Sequence, residues 1–384
     1  MTQRVAAIDC GTNSIRLLIA DLAEQNGDAE RVRGATGTAP LAPPLADITR
    51  EMRIVRLGEG VDRTGRLSEA ALDRTMTALR EYADLIAAAR PAAIRMVATS
   101  ATRDAANAAE FTDRVVQILG VPPEVISGDE EAQLSFTGAT RELAGTSLAA
   151  EAECPPPYLV TDIGGGSTEF ILGGPAGIDG ARSVNIGCVR LTERHLHGDP
   201  PLAAETLATR QDIDSALDQA AAAVDGEKAR TLVGLAGSVT TVAAIALGLD
   251  RYRPERIHHA RIPAGQVHEI TGRLLGMTRA ERAAIPGMHP GRIDVIGAGA
   301  LILDRIMPRF GFTEVLVSEH DILDGIAWSL ARLGQLSEEP DSVGWVTTEL
   351  TSSKMPGAFW NAPLVLSESV ELSIVSVPPP ELTT

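Results

Sequence analysis

The chain has 384 residues, of which 44% are hydrophobic and 22% charged, and this length and composition favour two globular domains with buried cores. Its formal net charge of −17 and aromatic content of 3% argue against a nucleic-acid surface, an anionic-membrane surface and single-strand binding by aromatic stacking. The three cysteines are widely spaced and indicate neither a disulfide framework nor a zinc site, and the lack of a signal-peptide pattern or an apolar run of about 18 residues predicts a cytoplasmic protein.

The first half of the chain alternates strand and helix patterns. In chain order the predicted elements are strands over Arg4–Ile8 and Ser14–Asp21, a loop over Asn26–Arg50, a strand over Met52–Leu57, a helix over Ser68–Ala89, a strand over Ile94–Thr99, a helix over about Ala105–Leu119, a short strand over Val125–Ser127 and a helix over Asp129–Leu143. Strands followed by helices in this way predict an α/β layer.

The second half repeats the strand-turn-strand beginning of the first. Its predicted elements are a loop over Ala144–Pro157, a strand entering a glycine run at Gly164, strands over Glu169–Leu172 and Ser183–Ile186, a helix over Ala203–Val224, a strand over Thr231–Leu235, a helix from Ala236, a helix over Asp294–Met307, a strand over Glu314–Val317 and a helix over Asp321–Leu330. Beyond about residue 336 the sequence is rich in Ser, Thr, Pro and acids, which predicts a poorly ordered tail without chemistry.

Two glycine loops follow the predicted strands that open the two halves. Each consists of Asp-x-Gly and then small or hydroxylated residues, and the two sets are Asp9, Gly11, Thr12, Asn13 and Ser14, and Asp162, Gly164, Gly165, Gly166, Ser167 and Thr168. Free backbone N–H groups and hydroxyls in such turns can cradle a phosphate. An ordinary Asp-Gly hairpin turn is the alternative for the first loop taken alone. Together the loops predict two facing half-sites for a phosphate chain and a metal ion.

Two carboxylates flank the second glycine loop. A hairpin around the glycines would bring Asp162 and Glu169 close together on one side of the turn. Two carboxylates, together with phosphate oxygens and waters, make a typical Mg²⁺ site. The alternatives are that Asp162 bonds to its own turn backbone and that Glu169 is a solvated strand residue.

Further candidates follow other strands. Asp129, Glu130 and Glu131 open a predicted helix, where acids stabilise the first turn but could also orient and deprotonate water beside a metal. Arg103, after a strand, could clamp phosphoryl oxygens or simply form a surface salt bridge. Gly237 and Ser238 open another helix and indicate a third phosphate contact.

These segments resemble the exopolyphosphatase/guanosine pentaphosphate phosphohydrolase family, often called Ppx/GppA, over roughly residues 4–332. The resemblance is carried by six motifs in the family's order, at residues 9–16, 56–61, 97–103, 126–132, 162–169 and 236–238. It implies an α/β fold of two ribonuclease-H-like domains of the actin-like ATPase superfamily with a cleft between them. By this resemblance residues 1–126, completed by about 311–332, form the first domain, 127–310 the second, and 333–384 a disordered tail.

The resemblance also implies roles for individual residues. Glu130 is similar to the family's catalytic base, with a shared role for the adjacent Glu131 left open, and Asp162 and Glu169 are similar to its metal-associated carboxylates, with Asp9 beside them. The cofactor implied is Mg²⁺, with Mn²⁺ as the alternative. The partners implied are inorganic polyphosphate or guanosine pentaphosphate and tetraphosphate, and a homodimer is compatible with the resemblance.

The motifs and the resemblance together therefore predict a hydrolase that removes a terminal phosphate from polyphosphate or guanosine pentaphosphate. It lacks the long C-terminal helical domains of the larger family members, which argues against processive action on long polyphosphate. Two rival hypotheses share the phosphate loops, namely an actin-like kinase that uses ATP and a catalytically weak sensor of guanosine pentaphosphate or tetraphosphate.

Overall fold

The computed structural model describes residues 2–23, 45–141, 143 and 154–336. The predicted loops over 26–50 and 144–157 therefore lie only partly within the described residues, and residues 337–384 of the predicted tail lie outside them. Residues 333–336, which the sequence assigns to the tail, form the end of the last helix.

The strands fall into two sheets. The described part of the chain contains β1 (Thr2–Cys10), β2 (Ser14–Ala23), β3 (Leu45–Ile54), β4 (Ala93–Ala98), β5 (Glu124–Val125), β6 (Tyr158–Ile163), β7 (Thr168–Gly174), β8 (Gly177–Val184), β9 (Thr231–Leu235), β10 (Arg261–Pro263) and β11 (Glu314–Val317). Their orders are β3-β2-β1-β4-β5 in the first sheet and β10-β11-β9-β6-β7-β8 in the second.

Both sheets repeat one topology. Three antiparallel strands, β3-β2-β1 or β8-β7-β6, continue into two parallel strands, β4-β5 or β9-β11, and β10 adds one antiparallel edge strand to the second sheet. The prediction of an α/β fold with two ribonuclease-H-like units is therefore confirmed.

Helices cover both sheets. The described helices are α1 (Val61–Thr64), α2 (Glu69–Ala89), α3 (Ser100–Arg103), α4 (Ala108–Leu119), α5 (Gly128–Thr140), α6 (Cys188–His195), α7 (Ala203–Ala223), α8 (Ala236–Ala246), α9 (Pro254–Ile257), α10 (Ala264–Gly276), α11 (Arg279–Ala283), α12 (Ile296–Arg309) and α13 (Ile322–Leu336), and short 3₁₀ turns lie at Gly226–Lys228 and Pro290–Arg292. No helix in this described set is long and apolar enough to cross a membrane.

Helix α2 shows how the sequence pattern produces the packing. Ser68 caps the helix by accepting a hydrogen bond from the Ala71 N–H, as predicted. Leu72, Met76 and Leu79 recur at helical spacing and are buried in the core of the first sheet. Tyr82, on the same face, is also buried, and its hydroxyl donates to the Ile15 carbonyl oxygen at 2.9 Å.

Helices α5 and α13 pack closely against each other. Leu134 of α5 is buried with Ile322 and Ile326 of α13 in a core on the first sheet, whereas Phe136 of α5 faces the core of the second sheet. Helix α5 therefore contacts both sheets. Strand β11, which the sequence groups with the first domain, pairs with β9 in the second sheet.

Element boundaries differ from the sequence prediction where the pattern is weak. Strand β3 begins at Leu45, inside the predicted loop, and ends at Ile54. It is an edge strand whose residues 46–48 are exposed, so it lacks the apolar run that predicts a strand. The sequence prediction also lacks helix α10 and the short elements α9, β10 and α11. The last three are only three to five residues long, too short for a periodic pattern.

Candidate functional site

A cavity of about 610 Å³ lies where both sheets present the carboxyl ends of their parallel strands. Most of the residues predicted from the glycine loops and the acidic helix line it. They are Asp9, Gly11, Thr12, Asn13, Ser14, Glu131, Asp162, Gly164, Gly165, Ser167, Gly237 and Ser238. The structure therefore brings together segments that are up to about two hundred residues apart in sequence.

The first glycine loop, between β1 and β2, offers unpaired polar groups to this cavity. Its Gly11 N–H donates to the Ser14 carbonyl at 3.0 Å, which closes the turn. The Asn13 side-chain oxygen is buried and has no hydrogen-bond partner among the described residues. Thr12 is buried, and its hydroxyl bonds to the Ser100 hydroxyl at 2.8 Å. Since a buried polar atom without a partner is costly, the loop fits a polar ligand.

The second glycine loop, between β6 and β7, is held from one side by the start of α6. The Gly164 carbonyl accepts from the Cys188 N–H at 3.0 Å, and the Gly165 carbonyl accepts from the Val189 N–H at 2.9 Å. In the described part of the chain, the N–H groups of Gly165 and Gly166 donate to no backbone carbonyl, and of the two residues Gly165 lines the cavity. A free N–H group at the cavity, as at Gly165, suits a phosphate oxygen.

The two glycine loops touch each other. A Cβ atom at Gly165 would lie 2.9 Å from the Thr12 Cβ and 3.2 Å from the Asn13 nitrogen. Glycine is therefore required at Gly165 for the close approach of the two loops.

The start of α8, at Ala236, Gly237 and Ser238 directly after β9, also enters the cavity and is called the third loop here. Gly237 packs against the guanidinium of Arg292, whose Nη2 would lie 2.4 Å from a Cβ at that position. Among the residues that the structure describes, Arg292 donates to the Thr241 hydroxyl at 2.7 Å and pairs with no carboxylate, so its charge can serve an anionic ligand in the cavity that it lines. Nothing in the sequence around Arg292 identifies it as a site residue.

Ala236 begins this third loop with a φ of +67°, a left-handed conformation that disfavours side chains. We expect Ala236→Gly to raise the free energy of unfolding by about 1 kcal/mol, because glycine adopts this conformation without strain. Urea denaturation of both proteins measures the change. Ala243→Gly, in the same helix but beyond the strained turn, is the control and should lower stability by about 1 kcal/mol. A lower stability for Ala236→Gly would contradict the strain.

The two carboxylates that flank the second glycine loop lie directly opposite each other, since Asp162 pairs with Glu169 across β6 and β7. Asp162 lines the cavity and accepts from the Ser135 hydroxyl of α5 at 2.7 Å. Glu169 is buried next to it and accepts from the Ser183 hydroxyl at 2.7 Å. The hairpin predicted from their spacing is present.

The two glutamates of helix α5 have different surroundings. Glu130 has a half-exposed side chain, pairs with Arg95 at 2.8 Å and lies outside the cavity lining. Glu131 is 8% exposed, lines the cavity and accepts from Arg103 at 3.1 Å. The side chain that can reach a ligand is therefore that of Glu131.

Arg103, predicted to clamp phosphate, lies next to Glu131 rather than on the cavity wall. Its Nη1 also donates to the Ile126 carbonyl at 2.9 Å. Thr168, predicted to bind phosphate, donates instead to the Ile186 carbonyl at 2.6 Å and is fully buried. Gly166 packs against Ser100 and Thr12 without lining the cavity.

Arg16 is a site residue that the loop pattern left out. It pairs with Asp9 across the β1–β2 hairpin at 2.6 Å and also with Asp321, which precedes α13. Its place seven residues after Asp9 matches that of Glu169 after Asp162, and this spacing could have identified it. Asp321 comes from the far end of the chain and gave no such signal.

Buried carboxyl groups crowd the loop end of the cavity. Burial raises the pKa of Glu131 well above that of an ordinary glutamate; Arg103 opposes this, and the charge of Asp162 adds to it. Burial likewise raises the pKa of Asp162, despite its Ser135 hydrogen bond, and of Glu169, where the charges of Glu131 and Asp162 add. A bound cation would relieve this repulsion.

The residues present fit a hard divalent cation. Carboxylate oxygens and the unpartnered Asn13 oxygen are the donors that Mg²⁺ prefers, and Mg²⁺ usually binds one or two carboxylates together with waters and phosphate oxygens. Across the described ranges no three His, Cys, Asp or Glu side chains form a metal cluster by themselves. Water and phosphate oxygens would therefore complete the coordination.

Comparisons with known proteins agree on one family. The sequence profile of the Ppx/GppA phosphatase family matches residues 36–332. Exopolyphosphatase 2 of Mycobacterium tuberculosis is 47% identical over 337 residues, which span 85% of this chain and 98% of the relative.

Solved structures give the same result. An exopolyphosphatase-like protein shares 42% identity, with a TM-score of 0.76 over 86% of this chain and 99% of its own. A Ppx/GppA family member from Aquifex aeolicus shares 28% identity, with a TM-score of 0.67 over 88% of this chain and 100% of its own.

Proposed function

The chain belongs to the Ppx/GppA phosphatase family, and on that premise we propose that it hydrolyses the terminal phosphoanhydride bond of inorganic polyphosphate. The relative from Mycobacterium tuberculosis carries the name exopolyphosphatase, which supports this substrate class. The observation that carries the proposal is the buried Glu131 facing the same cavity as the two glycine loops.

Glu131 is the proposed general base. It takes a proton from a water molecule as the water oxygen attacks the terminal phosphorus, and the bond from that phosphorus to the bridging oxygen breaks. Free N–H groups of the glycine loops and the charges of Arg16 and Arg292 hold the phosphate oxygens in place. The products are inorganic phosphate and a chain shortened by one unit.

Mg²⁺, or Mn²⁺ in its place, would be held through Asp162 and Glu169, with Asp9 beside them, and would polarise the phosphoryl oxygens when bound. Its charge would offset the buried carboxylates and the substrate, and would allow a chain with a net charge of −17 to bind a polyanion.

Metal removal provides a test. We expect EDTA to abolish phosphate release and added Mg²⁺ to restore it. Mg²⁺ should also raise the unfolding temperature, because it relieves repulsion among the buried carboxylates. Differential scanning fluorimetry should show a smaller rise in Asp162→Asn, whereas Asp218→Asn, at an exposed helix position, should respond like the wild type. Full turnover in EDTA would contradict the assignment.

Guanosine pentaphosphate is a second candidate substrate. The lining of the cavity also includes apolar side chains, those of Met52, Ile54, Tyr252, Met288 and Ile296. A polyphosphate chain has no group that needs an apolar lining, whereas a nucleoside does.

One experiment separates these functions. Phosphate release is measured with Mg²⁺ from long polyphosphate, short polyphosphate and guanosine pentaphosphate in parallel. Release from polyphosphate supports the main proposal, and release from guanosine pentaphosphate alone supports the second candidate. ATP turnover that depends on an added acceptor would indicate a kinase, and nucleotide binding without phosphate release would indicate a sensor.

A further inference from the structure

Arg190 of α6 joins the second glycine loop to the half of the molecule built on the first sheet. Its Nε donates to the Gly166 carbonyl at 2.7 Å, its Nη2 donates to Asp104 at 2.6 Å, and its Nη1 pairs with Asp62. The side chain is only 11% exposed. The planar guanidinium therefore bridges three segments at once, which a lysine ammonium on its flexible stem cannot reproduce.

This contact completes the hydrogen bonding of the glycine run. The N-terminal N–H groups of α6 bond to the carbonyls of Gly164 and Gly165, and the Gly166 carbonyl accepts from the Arg190 side chain. With its three carbonyls held on the α6 side, the run keeps the Gly165 N–H at the cavity free for a ligand, while Gly166 is buried against the first loop. Arg190 thereby fixes the last peptide of the phosphate cradle.

The Gly166 peptide also determines how closely the two glycine loops pack against each other. A Cβ at Gly166 would lie 2.6 Å from the Ser100 hydroxyl and 2.8 Å from the Thr12 hydroxyl, so the two loops have no spare room here. Asp104 directly follows α3, the helix that begins with Ser100. A shift of the Arg190 side chain would thus move the second loop against the first.

We propose that Arg190 is a positioning residue that holds the Gly164–Gly166 loop in register with the first glycine loop, so that both cradle one phosphate chain. The inference rests on the proposed hydrolysis for its kinetic effect, but the loop geometry can be measured without it. Arg190 does not line the cavity, so it acts through the loop and not on the substrate.

Arg194 provides a matched control. It lies one helical turn further along α6 and also pairs with Asp62, at 3.0 Å, but its other partner is Asp212 and it does not contact the glycine loop. Loss of its charge changes the electrostatics of the same surface and leaves the loop carbonyls untouched.

The experiment compares Arg190→Met, Arg190→Lys and Arg194→Met in the full chain. Hydrogen exchange followed by mass spectrometry reports on the loop through the Gly164 N–H, which donates to the Ser167 carbonyl, and through the Cys188 and Val189 N–H groups, which donate to the loop carbonyls. Steady-state phosphate release from polyphosphate gives kcat and KM. We expect Arg190→Met to exchange at least about tenfold faster in the loop and to lose about 10–100-fold in kcat, since small misplacements of binding groups have such effects. Arg190→Lys should recover little, and Arg194→Met should match the wild type.

Wild-type exchange in the Arg190→Met loop, or full recovery in Arg190→Lys, would overturn the inference. If Arg190→Met does not fold, Asp104→Asn removes one anchor of the same side chain and should change loop exchange in the same direction. If the wild type releases no phosphate from polyphosphate, the proposed function fails while the exchange data still decide the role of Arg190.

Discussion

Glu131→Gln should retain binding of polyphosphate and lose about 10²–10⁴-fold in kcat, because an amide of the same shape cannot accept the proton from water. The side chain is buried in the cavity, and its carboxyl lies near Asp162 and Glu169, whose charges oppose its own. Because burial already disfavours the charged form of this carboxyl and raises its pKa, the neutral amide should leave the free energy of unfolding unchanged or raise it. Phosphate release gives kcat, and thermal unfolding checks the fold.

Glu130→Gln is the matched control, since Glu130 is adjacent in sequence but is half-exposed, paired with Arg95 and outside the cavity lining. It should retain nearly wild-type kcat. The opposite outcome, with Glu130→Gln inactive and Glu131→Gln active, would give the base role to Glu130, as the resemblance to the family's motif alone suggests.

The sequence alone predicted both glycine hairpins, because the signals for them are local. Asp162 and Glu169 are seven residues apart, and a hairpin between them has one natural register, which the structure shows. Local sequence could not predict which of the two glutamates, Glu130 or Glu131, faces the cavity. Both side chains lie in the first turn of α5. Which of them faces the cavity therefore depends on the orientation of this helix about its own axis between the two sheets.

Long-range partners account for the other differences. Arg292 comes from a turn before α12 and reaches the third loop only because both sheets are folded, and Asp321 reaches Arg16 across 305 residues. No periodicity or spacing connects such residues, so sequence patterns alone could not identify them. The ends of β3 were missed for a different reason, since an edge strand with exposed residues needs no apolar run.

The contact between helices α5 and α13 should fail if Gly138 is given a side chain. A Cβ at Gly138 would lie 1.8 Å from the Asp321 carbonyl oxygen and 3.1 Å from the Gly325 nitrogen, and backbone atoms cannot rotate away. We expect Gly138→Ala to lower the free energy of unfolding by about 3 kcal/mol or more, at the upper end of overpacking effects. Urea denaturation measures this loss.

The same substitution should also reduce activity, because Asp321 holds Arg16 at the cavity and must move with its own carbonyl. Gly272→Ala is the matched control, since Gly272 lies within α10 with open space where its Cβ would be. There, alanine should raise stability by about 0.5–1 kcal/mol through its higher helix propensity. Equal effects of the two substitutions on stability would show that helices α5 and α13 are not in the close contact described. A stable Gly138→Ala protein with unchanged kcat would contradict the role of Asp321 in holding Arg16 at the cavity.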